Sequence, residues 1–210
     1  MDPGIGERAP RPTTLWRSFG HAWDGLVDAA RGQRNMQIHL VAGILAGSFA
    51  AIAPLEPGGR ALILLCIALV VAAEAANTAL EALVDLQGRV PSEGARIAKD
   101  AAAGAVLALA SASVVVFAIF AGGCWRALVS SWRPLLPAGG AATFLAAVTA
   151  GLLGRKAPTS AGTAVLATAG VLLVTLLAAT APCAVCATVP ALLLGVGVDA
   201  ARSPGGKRHP

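Results

Sequence analysis

A chain of 210 residues that is 56% hydrophobic and only 13% charged, with a mean hydropathy of +0.72, is excluded from the class of soluble domains. Its net charge of +5 is not gathered into a basic stripe interleaved with aromatics, so it points to membrane topology and anionic headgroups and excludes a nucleic-acid partner. Four cysteines in a chain of this length do not make a disulfide framework.

Residues 1–12 hold three prolines and mixed charge and read as a disordered tail. In 13–34, Leu15, Phe19, Ala22, Trp23, Leu26, Val27 and Ala30 recur at helical spacing, with Arg17, Asp24, Asp28 and Arg31 largely elsewhere. That pattern predicts an amphipathic helix lying in the membrane interface, a depth that suits Trp16 and Trp23. The first 35 residues lack the short apolar core of a cleavable leader.

Six spans follow, at about 36–54, 62–86, 99–121, 138–154, 162–181 and 184–200. The fold class is therefore an all-α integral membrane protein, an interfacial helix plus about six transmembrane helices. The segment 54–59 (PLEPGG) is a tight outer turn, 87–100 a polar loop, 123–137 an outer connector and 201–210 a basic cytoplasmic tail. With this span count, thirteen basic residues fall on one side and only Arg60, Arg126 and Arg133 on the other. The positive-inside rule then puts both termini in the cytoplasm.

The second span is unusual. Residues 60–86 read RALILLCIALVVAAEAANTALEALVDL, with Glu74, Asn77, Glu81 and Asp85 set into an apolar helix. At helical spacing they fall at about 0°, 300°, 340° and 20°, one polar stripe. Each ionisable group in a span costs roughly 2.5–3.5 kcal/mol at the bilayer centre, so three on one face imply something that holds or uses them. A structural stripe satisfied by a neighbouring helix is the bland account. The functional account is a site for protons, metal or phosphate near the membrane surface.

Lys99-Asp100, the interfacial helix and its exit segment RGQRN (31–35) converge on the same interface. A carboxylate partly buried in hydrocarbon suits general-base work. A carboxylate with an amide one turn away can hold Mg²⁺, which takes oxygen ligands. A surface lysine can take phosphate oxygens. Base, metal and cation together can move a phosphoryl group onto a lipid hydroxyl. No GxxxxGK[ST] loop or protein-kinase glycine loop is present. An ion-coupled transporter could use the same residues, but the span has no glycine or proline break and the stripe lies toward one face.

Elsewhere polar content is sparse. Cys183 and Cys186 form Cys-Ala-Val-Cys in a predicted outward-facing turn, read as small residues at a helix start over a redox or metal pair, which has no second pair or nearby His beside it, with a disulfide as the secondary account. Asp199 reads as a solvated helix-end residue.

EAANTALEALVD (74–85), then AKDAAAGAV (98–106), resembles the signature of the prokaryotic diacylglycerol kinase family, which includes the undecaprenol kinases. SFGHAWDGL (18–26) and RNMQIHL (34–40) are similar to its lead-in, so the resemblance covers about 15–121 and suggests a kinase-like domain at 13–121. It implies a homotrimer with three spans per subunit that transfers the γ-phosphate of MgATP to a lipid alcohol, diacylglycerol or undecaprenol, at the cytoplasmic surface. Carried over by position, Glu74 would be the base and Glu81 a metal ligand. Asn77, Asp85, Lys99 and Asp100 would bind the nucleotide. Gln33 stands where the family usually has a second metal-binding Glu, and Gln37 where a basic residue is common. A Gln oxygen can still ligate Mg²⁺, without charge. A metal-hungry kinase follows from this, the alternative being a non-catalytic, kinase-like membrane assembly protein. Residues 122–200 form a three-span extension. Within it PAGGAATF (137–144) is similar to the P-S-G-H segment of a lipid phosphatase domain but lacks the histidine.

Overall fold

A computed structural model describes residues 14–86, 92–130, 132–153, 160–180 and 183–202. Among them, regular structure is helical: α1 (Leu15–Gly32), α2 (Arg34–Ile52), α3 (Pro57–Leu86), α4 (Glu93–Ser130), α5 (Trp132–Leu153), α6 (Ser160–Thr180), a 3₁₀ turn (Ala184–Ala187) and α7 (Thr188–Arg202). Four stretches are long and apolar enough to cross a membrane: α2, α3, α4 and Val185–Arg202. Shorter apolar cores, Leu136–Gly151 and Ala167–Leu176, lie in α5 and α6. The N-terminal tail, residues 87–91 of the polar loop and residues 203–210 of the basic tail lie outside the described residues.

α1 has the amphipathic character its spacing predicts. Leu15, Trp16 and Phe19 are exposed on it, while Val27, Ala29 and Ala30 are buried at its far end. Gln33 is at once the last cap of α1 and the first cap of α2, in extended backbone (φ −116°, ψ 117°). The turn from interfacial helix to span is thus made at a single residue. The Gln37 side chain braces it by donating to the Ala30 carbonyl at 3.0 Å.

α2 is the centre of the bundle, packed against α3, α5 and α7. Met36, Leu40, Ile44, Gly47 and Ala51 are buried at spacings of three and four. Helix α7 comes so close that a Cβ on Gly43 would sit 2.7 Å from Leu193 Cδ1, and one on Gly47 3.0 Å from Pro190 Cδ. Small residues let the backbones approach, the usual device where lipid gives no hydrophobic drive between helices. α4 is peripheral. It runs along α3, touches α2 through the Phe49–Phe117 ring pair (centroids 4.8 Å apart), and buries only Val106 and Cys124.

Three expectations need correction. The helix that carries the predicted span 99–121 does not end with it, and the predicted connector is largely helical. α4 continues to Ser130 and α5 begins at Trp132, because nothing in GCWRALVS stops the backbone ladder where the apolar run ends. The 54–59 turn is shorter than expected, since Pro57 already opens α3, where its missing N–H costs nothing. Asp199 is not a solvated end residue. It is partly buried and accepts from Trp23 Nε1 at 2.9 Å, while Arg31 Nη2 donates to the Asp199 carbonyl (2.9 Å) and Arg31 Nε to that of Ala200 (3.0 Å). The end of the extension therefore holds the end of the interfacial helix. The PAGGAATF segment lies inside α5, with Pro137 within the helix.

Candidate functional site

The polar stripe of α3 is graded by depth. Glu74 is 1% exposed and Asn77 5%, Glu81 is half-buried, and Asp85 is exposed. Eleven residues of helix rise about 16 Å, so the stripe runs from the packed bundle to its polar end.

Three side chains meet in the middle of this gradient. Gln33 Nε2 donates to Glu81 Oε2 at 3.0 Å, and Asn77 Nδ2 donates to Glu81 Oε1 at 3.1 Å. The corner residue of the α1–α2 turn thus reaches across 48 positions of sequence to the stripe. Asn77 Oδ1 is buried with no hydrogen-bond partner. One turn deeper, both carboxyl oxygens of Glu74 are also buried and unpartnered. Its backbone carbonyl is taken by Thr78 Oγ1 at 2.9 Å, but its side chain is not. Buried polar atoms normally find partners, so orphaned oxygens one turn apart on the same helix mark a candidate site for a partner from outside the chain.

These atoms fit a hard divalent cation. The oxygens that could meet one are the Glu81 carboxylate and, once their N–H groups leave Glu81, the amide oxygens of Gln33 and Asn77. Among the described residues no group of three or more His, Cys, Asp or Glu could hold a metal, so the set depends on its amides.

Closer to the surface lies a second group. Lys99 Nζ pairs with Asp85 Oδ1 at 2.5 Å, joining the start of α4 to the end of α3. Asp100 turns the other way and pairs with Arg96 Nη1 at 2.6 Å, while Arg96 Nη2 pairs with Glu93 at 2.5 Å. The Arg96 hydrogen bond holds the Glu93 carboxyl below its ordinary range. Of the residues singled out in the sequence, Gln33, Asn77 and Glu81 are joined directly. Asp85 and Lys99 form a pair of their own, Glu74 sits beneath, and Asp100 belongs to the Arg96 cluster. Arg96 was missed, and Gln37 was noted only as a departure from a basic residue, not as the brace of the α1–α2 turn. The signal for Arg96 was present, because Glu93, Arg96 and Asp100 stand at i, i+3 and i+4 spacings on one helix face.

Fold and site together define an α-helical membrane protein with an oxygen-rich polar site at one end of its bundle. The family model described as prokaryotic diacylglycerol kinase matches residues 20–121. A diacylglycerol kinase from Synechocystis sp. is 40% identical over 127 residues, which cover 57% of this chain and 70% of that protein. An undecaprenol kinase from Bacillus subtilis is 36% identical over 105 residues, 49% of this chain and 83% of that protein. The chain belongs to the prokaryotic diacylglycerol kinase family. Its last three helices lie beyond the family match. No solved structure matches the chain.

Proposed function

We propose that the protein transfers the γ-phosphate of ATP to the hydroxyl of a membrane lipid alcohol, diacylglycerol or undecaprenol, at the cytoplasmic surface of the bacterial inner membrane. The observation that carries this reading is Glu74: a carboxyl 1% exposed, with both oxygens unpartnered, one turn beneath the Gln33–Glu81–Asn77 cluster. A base held dry and without an internal partner is free to accept a proton from a substrate hydroxyl. As the hydroxyl oxygen bonds to the γ-phosphorus, the bond from that phosphorus to the bridging oxygen breaks, ADP leaves, and Glu74 keeps the proton. Glu81 with the amide oxygens of Asn77 and Gln33 would hold Mg²⁺, which screens phosphate charge when bound. Lys99 and Asp85 would line the approach, the Lys99 ammonium exchanging Asp85 for a phosphate oxygen, and Asp100 would join the nucleotide site on leaving Arg96.

The described basic residues support the orientation. Arg31, Arg34, Arg96, Lys99 and Arg202 stand at the site end of the bundle, Arg60 and Arg126 at the other. A homotrimer is proposed on the family resemblance.

A second reading, a kinase-like assembly protein without turnover, is favoured by one observation. The Gln33 amide caps an oxygen of Glu81 where a carboxylate would have repelled it and drawn in a cation. Glu74→Gln separates the two readings. Loss of phosphoryl transfer supports the kinase, whereas a wild-type protein that phosphorylates neither lipid at any Mg²⁺ concentration supports the assembly protein.

A further inference from the structure

The end of the bundle remote from this site carries a second chemical group that lipid phosphorylation does not use. Cys183 precedes the 3₁₀ turn and Cys186 lies within it, and their sulfurs are 2.7 Å apart. The turn holds them there. Cys186 N–H donates to the Cys183 carbonyl at 3.2 Å, and Cys183 N–H donates across to the Ala51 carbonyl at the end of α2 at 3.1 Å. The two thiols differ in access, since Cys183 is half-buried and Cys186 is buried. Arg60 lies beside them. Its Nε donates to the Ala50 carbonyl at 3.2 Å and its Nη2 to that of Ala53 at 3.1 Å, which fixes the guanidinium over the same end of α2.

We propose that Cys183 and Cys186 form a redox-active dithiol, with Cys183 the attacking sulfur and Cys186 the resolving one. A structural crosslink gains stability mainly from the length of the loop it closes, and this pair would close a short one, at the low end of that scale. Adjacent sulfurs with unequal access beside a fixed cation are instead the arrangement of thiol–disulfide exchange. The hydrogen bond from the Cys186 thiol, with a smaller contribution from Arg60, holds the Cys183 thiol below its ordinary range, which favours it as the nucleophile. The co-reactant is a small or protein-borne disulfide. The Cys183 thiolate attacks one of its sulfurs, the S–S bond breaks, and one thiolate leaves. Cys186 then attacks Cys183 Sγ, expels the second thiolate and closes the internal disulfide. The co-reactant gains two electrons, the protein sulfurs lose two, and the two thiol protons end on the released thiols. This goes beyond the kinase reading and rests on it only for location: with the site facing the cytoplasm, the dithiol faces the oxidising compartment.

The test uses the full chain in detergent, reduced with dithiothreitol, then exposed to oxidised glutathione and mapped by peptide mass spectrometry. The expected result is loss of two hydrogens from the peptide carrying Cys183 and Cys186, reversed by dithiothreitol, with Cys66 and Cys124 in α3 and α4 unmodified. Cys186→Ser should accumulate a glutathione adduct on Cys183. Cys183→Ser should accumulate on the order of tenfold less on Cys186. No internal disulfide, equal modification of all four cysteines, or preferential adduct on Cys186 would each overturn the proposal. The wild-type map decides alone if a variant does not fold.

Discussion

In the proposed reaction Glu74 is the group that moves a proton, and its surroundings make it separable from stability. Its oxygens have no partner in the chain, so Glu74→Gln removes no hydrogen bond and replaces a buried acid with a neutral group of the same shape. Phosphoryl transfer should fall about 10²–10⁴-fold, the range lost with a general base, while the thermal midpoint in detergent stays level or rises. Gln33 gives the complementary change. Gln33→Glu exchanges an amide bonded to Glu81 for a second carboxylate, and charge count sets divalent affinity. The Mg²⁺ concentration for half-maximal activity should drop on the order of tenfold. A titration showing no change would mean that Gln33 does not contribute to the cation site. Glu74, Asn77, Glu81 and Asp85 were legible in the sequence because helical periodicity alone puts them on one face. The Gln33–Glu81 bond was legible only through resemblance, because the turn between α1 and α2 that makes it possible leaves no periodic trace.

At the scale of elements, the interfacial helix is held from the far end of the chain. Trp23 and Arg31 on α1 grip Asp199 and Ala200 on α7, across more than 160 positions. Since α1 ends at Gln33, this grip fixes the helix that delivers a site residue. A hydrogen bond of this kind contributes about 1 kcal/mol. Asp199→Ala and Trp23→Phe should each lower stability by about that amount and, combined, by less than the sum, as for any pair that shares one bond. The close approach of α7 to α2 predicts a larger effect nearby. Gly43→Ala puts a methyl group into Leu193 and should cost about 1–3 kcal/mol by overpacking, read as an earlier thermal transition in detergent. None of this was visible in the sequence. Asp199 looked solvated because it stands near a helix end beside the basic tail, and its partner is set by the packing of the whole bundle. α4 was under-read for a different reason. Hydropathy marks where a helix leaves lipid, not where its backbone hydrogen bonds end.

At the scale of the whole molecule, the helices of the family domain and the three beyond it share one core. Leu145 of α5 and Leu193, Leu194 and Val196 of α7 are buried in the same cluster as Met36, Leu40 and Ile44 of α2. The extension thus covers a face of α2 and leaves α4 at the periphery, with Val114, Val115 and Ile119 exposed. The all-helical membrane class and the approximate number of spans were legible from hydropathy and length. The division of labour was not, because apolar helices carry no sign of which neighbour they choose. An even number of crossings predicts that reporters fused to either terminus report the same, cytoplasmic, side. A reporter inserted in the 53–56 turn should report the opposite one.

The most direct test of the account is phosphoryl transfer by the purified full-length protein. ATP labelled at the γ-position is offered with diacylglycerol or undecaprenol across a wide Mg²⁺ range, with Glu74→Gln alongside. The account predicts labelled phospholipid from at least one acceptor, a high Mg²⁺ requirement, and at least about a hundredfold less product from the variant. Folded wild-type protein that labels neither lipid at any Mg²⁺ concentration, or a variant as active as wild type, would contradict it.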